Sequence, residues 1–166
     1  MNYYLDIETT GFDEENDKII TIQYMELERN TAMPVGPLKI LKEWESDEKT
    51  ILKKFISVGY NLNFEHKFFW QRCISNGLKP ISILGRPFLD LITVGVLLNG
   101  GKFKGAGLDN LTNKPNDGSV IPVYYKEKNY GEIEKYIKIE TESFCEWLVK
   151  LYVKLPKLRD ELLREN

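Results

Sequence analysis

Across residues 132–155 apolar residues recur at helical spacing, and this stretch constrains the fold more than any other. Advancing about 100° per residue from Ile133 brings Ile137, Phe144, Trp147, Leu148 and Leu151 into one stripe. Glu134, Lys135, Lys138, Glu142, Glu146 and Lys150 fall outside it. A helix patterned this way must bury the stripe against the rest of the chain. Two polar residues, Tyr136 and Glu140, lie inside the stripe. A core-facing carboxylate is costly unless it is paired or holds a metal. Tyr136 sits one turn before Glu140, so their side chains can meet. A buried tyrosine–carboxylate hydrogen bond without chemical role is the alternative reading of the pair. Pro156 is expected to end or kink this helix.

The chain before it starts as strands. Residues 3–9 and 19–27 are rich in β-branched and aromatic residues, with a break at Gly11. Pro34, Gly36 and Pro37 form a turn, and residues 38–44 make a third strand. Three short consecutive strands imply an antiparallel meander. The pattern then changes. Ser46-Asp47-Glu48 opens a helix with Ile51, Leu52 and Phe55 on its apolar face. Residues 55–60 form a buried strand, 63–76 a helix closed by Gly77, and 89–99 another helix. Residues 100–129, with five glycines and two prolines, read as irregular. Strands followed by alternating strand and helix give an α/β fold, a mixed sheet flanked by helices, in a single domain over residues 1–166.

Acids stand out against this frame. In Leu5-Asp6-Ile7-Glu8, residues two apart share a strand face, so Asp6 and Glu8 project together while Leu5 and Ile7 point away. A divalent cation between the two carboxylates would remove their repulsion, and a solvated polar face would avoid it. Glu65 falls in the first turn of the helix after Asn61, beside Phe68, Phe69 and Trp70. There a carboxylate also meets the helix dipole favourably. His66 reads as a surface or boundary residue, and Asp13-Glu14-Glu15-Asn16-Asp17 as a solvated loop.

What the chain lacks narrows the chemistry. One histidine and two cysteines, Cys73 and Cys145, cannot supply the four ligands of a structural zinc site. No nucleophile motif accompanies His66, and both cysteines sit in apolar helical contexts that suit packing. No apolar run approaches the roughly 20 residues that span a bilayer. The first residues lack a signal-peptide layout, so a cytoplasmic protein without a membrane partner is expected. A net charge of −2 argues against gripping long duplex tracts, and were the substrate a nucleic acid, the contact should be short, at a strand end.

Asp6-Ile7-Glu8 with Thr9-Thr10-Gly11, then Asn61-Leu62-Asn63-Phe64-Glu65, then Tyr136 four residues before Glu140, resembles the DEDD exonucleases of the tyrosine subclass. The resemblance covers residues 3–155. It implies a ribonuclease-H-like fold with a five-stranded mixed sheet. Asp90 matches a supporting aspartate of that family. Lys135 occupies the position where the histidine subclass needs histidine, so that subclass is rejected. Glu65 and Glu140 stand where the family usually has aspartate, each adding about 1.5 Å of reach. Mg²⁺ requires near-octahedral geometry, so the extra reach bears on activity.

The resemblance implies a 3′-to-5′ exonuclease that uses two ions, Mg²⁺ or Mn²⁺, to release nucleoside 5′-monophosphates from a single-stranded nucleic-acid 3′ end. Asp6, Glu8, Glu65 and Glu140 would be the metal ligands, and Tyr136 would orient the attacking water. Thr9, Thr10, Gly11, Phe12 and Asn61 would hold the terminal nucleotide, and Lys102 and Lys104 would contact phosphates or stay solvated. A polymerase or repair protein would be a fitting partner. Two rival expectations stand beside it. One is a nucleic-acid- or partner-binding module with an impaired site. The other is an endonuclease of the ribonuclease-H type.

Overall fold

The computed structural model of the chain describes residues 2–44, 56–112, 114 and 118–164. It has five strands, β1 (Asn2–Thr9), β2 (Ile19–Leu27), β3 (Lys39–Lys42), β4 (Ile56–Gly59) and β5 (Phe88–Asp90). They form one sheet in the order β3-β2-β1-β4-β5. β1 pairs with β2, and β2 with β3, antiparallel, which is the expected meander. β4 and β5 add on in parallel, so the sheet is mixed and β1 lies at its centre. The helix expected to open at Ser46 lies outside the described residues.

The helices are α1 (Leu62–Ser75), α2 (Ile92–Leu98), α3 (Leu108–Leu111), α4 (Ile121–Lys126) and α5 (Tyr130–Arg164). Alternation along β1 decides which helix covers which face. Leu5 and Ile7 pack with Phe68 and Phe69 of α1 and with Ile83. Tyr4, two residues from Leu5's neighbour Asp6, packs with Phe144, Trp147, Leu148 and Leu151 of α5. Helices thus flank the sheet on both faces. Cys73 and Cys145 are free and buried, as packing residues should be. No helix among the described residues is long and apolar enough to cross a membrane.

α1 ends as its sequence suggests. Gly77 adopts φ +65, the Gly77 N–H donates to Ile74 O, and the Leu78 N–H donates to Cys73 O. This is the reciprocal closure that a left-handed glycine permits.

Three sequence expectations need correction. Residues 89–99 are not one helix: Phe88–Asp90 joins the sheet beside β4, and α2 starts only at Ile92. The Asp90 carboxylate accepts from the Asn61 and Ile92 N–H groups, which fixes the strand end and the helix start together. Residues 100–129 hold two short helices, α3 and α4. α4 has proline in its first turn, where no N–H is missed, and buries Ile121. Pro156 does not end α5, which runs on to Arg164. Beyond Tyr152 the helix is exposed, so water can satisfy the carbonyl that proline leaves without a donor.

Phe68 is fully buried between α1 and the sheet. Phe68→Ala is expected to cost about 3–5 kcal/mol in urea unfolding. A cost below about 1 kcal/mol would mean that α1 does not close this core.

Candidate active site

The site begins with cross-strand register. Asp6 on β1 faces Gln23 on β2, and Glu8 faces Thr21. Gln23 is completely buried. Its Nε2 donates to Asp6 Oδ2 at 3.1 Å and to Glu8 Oε1 at 3.2 Å. Its Oε1 accepts from the Thr21 hydroxyl at 3.1 Å, which orients the amide. The Tyr4 hydroxyl donates to Asp6 Oδ2 at 3.1 Å. Two strand acids are therefore fixed by neutral donors on their own sheet face.

α5 adds a third acid. One carboxylate oxygen each from Asp6, Glu8 and Glu140 lies within 4.8 Å of the other two. Tyr136, one turn before Glu140, lines the same cleft. The wheel's assignment holds, since Tyr136 is buried and Glu142 is exposed. The fourth acid comes from α1. Glu65 is 3% exposed, Asp6 is its strongest charged neighbour, and its Oε2 has no hydrogen-bond partner. Asn61 sets where α1 starts. Its φ of +61 is left-handed, a conformation asparagine tolerates better than most residues. Gly59 lets the end of β4 lie close against β1, because a Cβ would lie 2.9 Å from Leu5 O.

The cleft has a volume of about 470 Å³. Thr9, Gly11, Phe12 and Asn61 line it. Thr10 does not line it. The Thr10 hydroxyl donates to Asp17 Oδ1 and accepts from the Lys18 N–H, so it organises the β1–β2 loop. His66 lies outside the cleft, edge-on to Trp70. Phe12 is 79% exposed and meets Phe64 edge-on.

Three contributors were not visible in the sequence. Gln23 reads there as one residue of a strand. Phe103, 75% exposed, lines the cleft from the loop before α3. Lys114 pairs with Glu140 and stands 4.8 Å from the Tyr136 ring centroid. Among the described residues it is the one basic side chain lining the cleft. A lysine in a glycine-containing loop carries no periodic signal that could have marked it.

Electrostatics follow from crowding. Burial, then Glu140, pushes Asp6 up to about 7, against the pull of Lys114 and the Tyr4 hydrogen bond. Burial, then Glu140 and Asp6, raises Glu8 well above the usual carboxylate range. Glu65 is raised in the same way, by burial and then Asp6. Burial, then Glu140, holds the Tyr136 hydroxyl well above its ordinary value, so it stays a proton donor in hydrogen bonds. Such a cluster can bind cations, and a neutral phenol beside it can orient a water. No protein-family model matches the sequence, and no curated protein matches it.

The shift at Asp6 has a definite sign for stability. Its folded value, about 7, lies above the ordinary 3.8, so between those values the folded state binds the proton that the unfolded state releases. Stability from this group is present at acidic pH and is lost as pH rises through about 7. In chelator, the melting temperature of wild type relative to Asp6→Asn should therefore fall from about pH 5 to pH 8. A difference that rises over this window would contradict the burial of Asp6.

Proposed function

We propose that the chain is a divalent-metal-dependent 3′-to-5′ exonuclease on a ribonuclease-H-like fold, acting on a single-stranded nucleic-acid end. One observation carries the reading: four acids from β1, α1 and α5 converge in a cleft with Tyr136, and the buried Glu65 Oε2 there lacks a hydrogen-bond partner. The strand order β3-β2-β1-β4-β5, with an antiparallel half and a parallel half, is compatible with that fold.

The donor set suits hard divalent cations, which prefer oxygen ligands. Asp6, Glu8 and Glu140 would hold one ion, and Glu65 with Asp6 a second. When bound, the ions supply an acidified water and neutralise charge on the phosphate. The residues of the chain do the rest. Gln23 and Tyr4 keep Asp6 in place through their hydrogen bonds. The Tyr136 hydroxyl orients the attacking water by donating to it or accepting from it. Phe12 and Phe103, both exposed in the cleft lining, offer ring faces to bases. Base–aromatic stacking of this kind is worth about 1–3 kcal/mol per base and does not depend on sequence. A cleft of about 470 Å³ suits a strand end, and a net charge of −2 fits short contact. The product is a nucleoside 5′-monophosphate.

A second reading has its own support. Lys114 occupies Glu140, and both Glu65 and Glu140 are longer than aspartate. These features favour a module that binds a strand, or a protein partner, without turnover.

One assay separates the two. With Mg²⁺ or Mn²⁺, a 3′-labelled single strand should release mononucleotides. Asp6→Asn should abolish release, and Tyr136→Phe should slow it by about a hundredfold, as loss of one oriented donor does. Strand binding with no release under either metal would favour the binding module, and internal cuts would reject the exonuclease.

A further inference from the structure

Lys114 is nearly buried, with its side chain 7% exposed and that of its partner Glu140 15% exposed. Lysines are seldom buried this far without a defined partner. The backbone before it is anchored. The Thr112 hydroxyl donates to Leu108 O at 2.8 Å and accepts from the Lys114 N–H at 3.3 Å, which ties Lys114 to the end of α3. The ammonium reaches Glu140 Oε1 across the Tyr136 ring. Its field also reaches Asp6 and Glu8, whose charged forms it favours. A single internal cation thus serves three of the four acids.

We propose that Lys114 is an internal counter-ion that a divalent cation must displace from Glu140, so the site works as a cation-exchange latch. The inference rests on the metal-site reading above. It goes beyond that reading by assigning control of ion entry to a residue of the chain. Two cations cannot share Glu140 at close range without repulsion that a partly dry site screens poorly. Lys114 therefore stabilises the ion-free protein and opposes ion binding by the same interaction, as linkage requires.

Calorimetric Mn²⁺ titration of the full chain tests this, with wild type beside Lys114→Met and Lys114→Gln. Both variants should bind Mn²⁺ more tightly, on the order of tenfold for loss of one largely buried ion pair. In chelator both should melt below wild type, and saturating Mn²⁺ should close that gap. A lysine with a purely structural role would leave the gap open. In wild type, the Lys114 side-chain Cε resonance, assigned with Lys114→Arg, should move toward that of an exposed lysine as Mg²⁺ is added. Equal or weaker Mn²⁺ binding by the variants overturns the latch, while Mn²⁺ binding and strand trimming by wild type would leave the nuclease reading standing. Absence of Mn²⁺ binding in wild type and variants alike overturns both. If the variants fail to fold, the wild-type resonance decides, and no movement at saturating Mg²⁺ overturns the latch.

Discussion

Carboxylates crowded within 4.8 Å of one another cannot all stay ionised in a partly dry pocket without positive charge nearby. Much of the local structure answers that constraint. Gln23 spends both amide hydrogens on Asp6 and Glu8, and the Thr21 hydroxyl holds the amide in the orientation that allows it. Tyr4 gives its hydroxyl hydrogen to Asp6. Lys114 brings a full charge to Glu140. Burial and like charge still leave Asp6, Glu8 and Glu65 readier to take up protons, and Glu65 keeps a buried oxygen without a partner. A sheet face built this way carries like charges that protons or cations must neutralise. Cores that serve packing alone avoid such an arrangement.

The rest of the architecture bears that burden from outside the site. β1 is central: β2 pairs with it antiparallel through Asp6 and Glu8, and β4 pairs in parallel with its first half, Asn2 to Tyr4. Its opposite face is dry: Leu5 and Ile7 pack on Phe68, Phe69 and Ile83. α5 is pinned by Ile133, Ile137, Phe144 and Leu148, all buried on either side of Glu140. Apolar burial behind β1 and along α5 thus holds the acids at separations they would not choose alone.

Period and spacing made much of this legible in the sequence. Leu5-Asp6-Ile7-Glu8 alternates as a strand must, and the structure puts the apolar pair against α1 and the acids against α5. The wheel placed Tyr136 and Glu140 on the core side of α5, where they lie in the cleft. The misses share one cause, which is that pairing in space leaves no local pattern. Gln23 matters because of what it faces across the sheet. Lys114 matters because a loop carries it to Glu140, and Phe88–Asp90 is a strand because β4 lies beside it. Pro156 does not end α5, for a related reason. Its effect on a helix depends on whether water can reach the freed carbonyl, which is a matter of surroundings.

Asp6 and Glu140 lie 134 positions apart in the chain, and Glu65 falls between them. The acidic centre therefore has no precursor in any short fragment. A ribosome-bound intermediate lacking α5 would carry Asp6 and Glu8 without their third neighbour and without the helix that dries the cleft. The acidic trio thus assembles only once α5 is in place, and a chain that has not yet added α5 holds two of its three members.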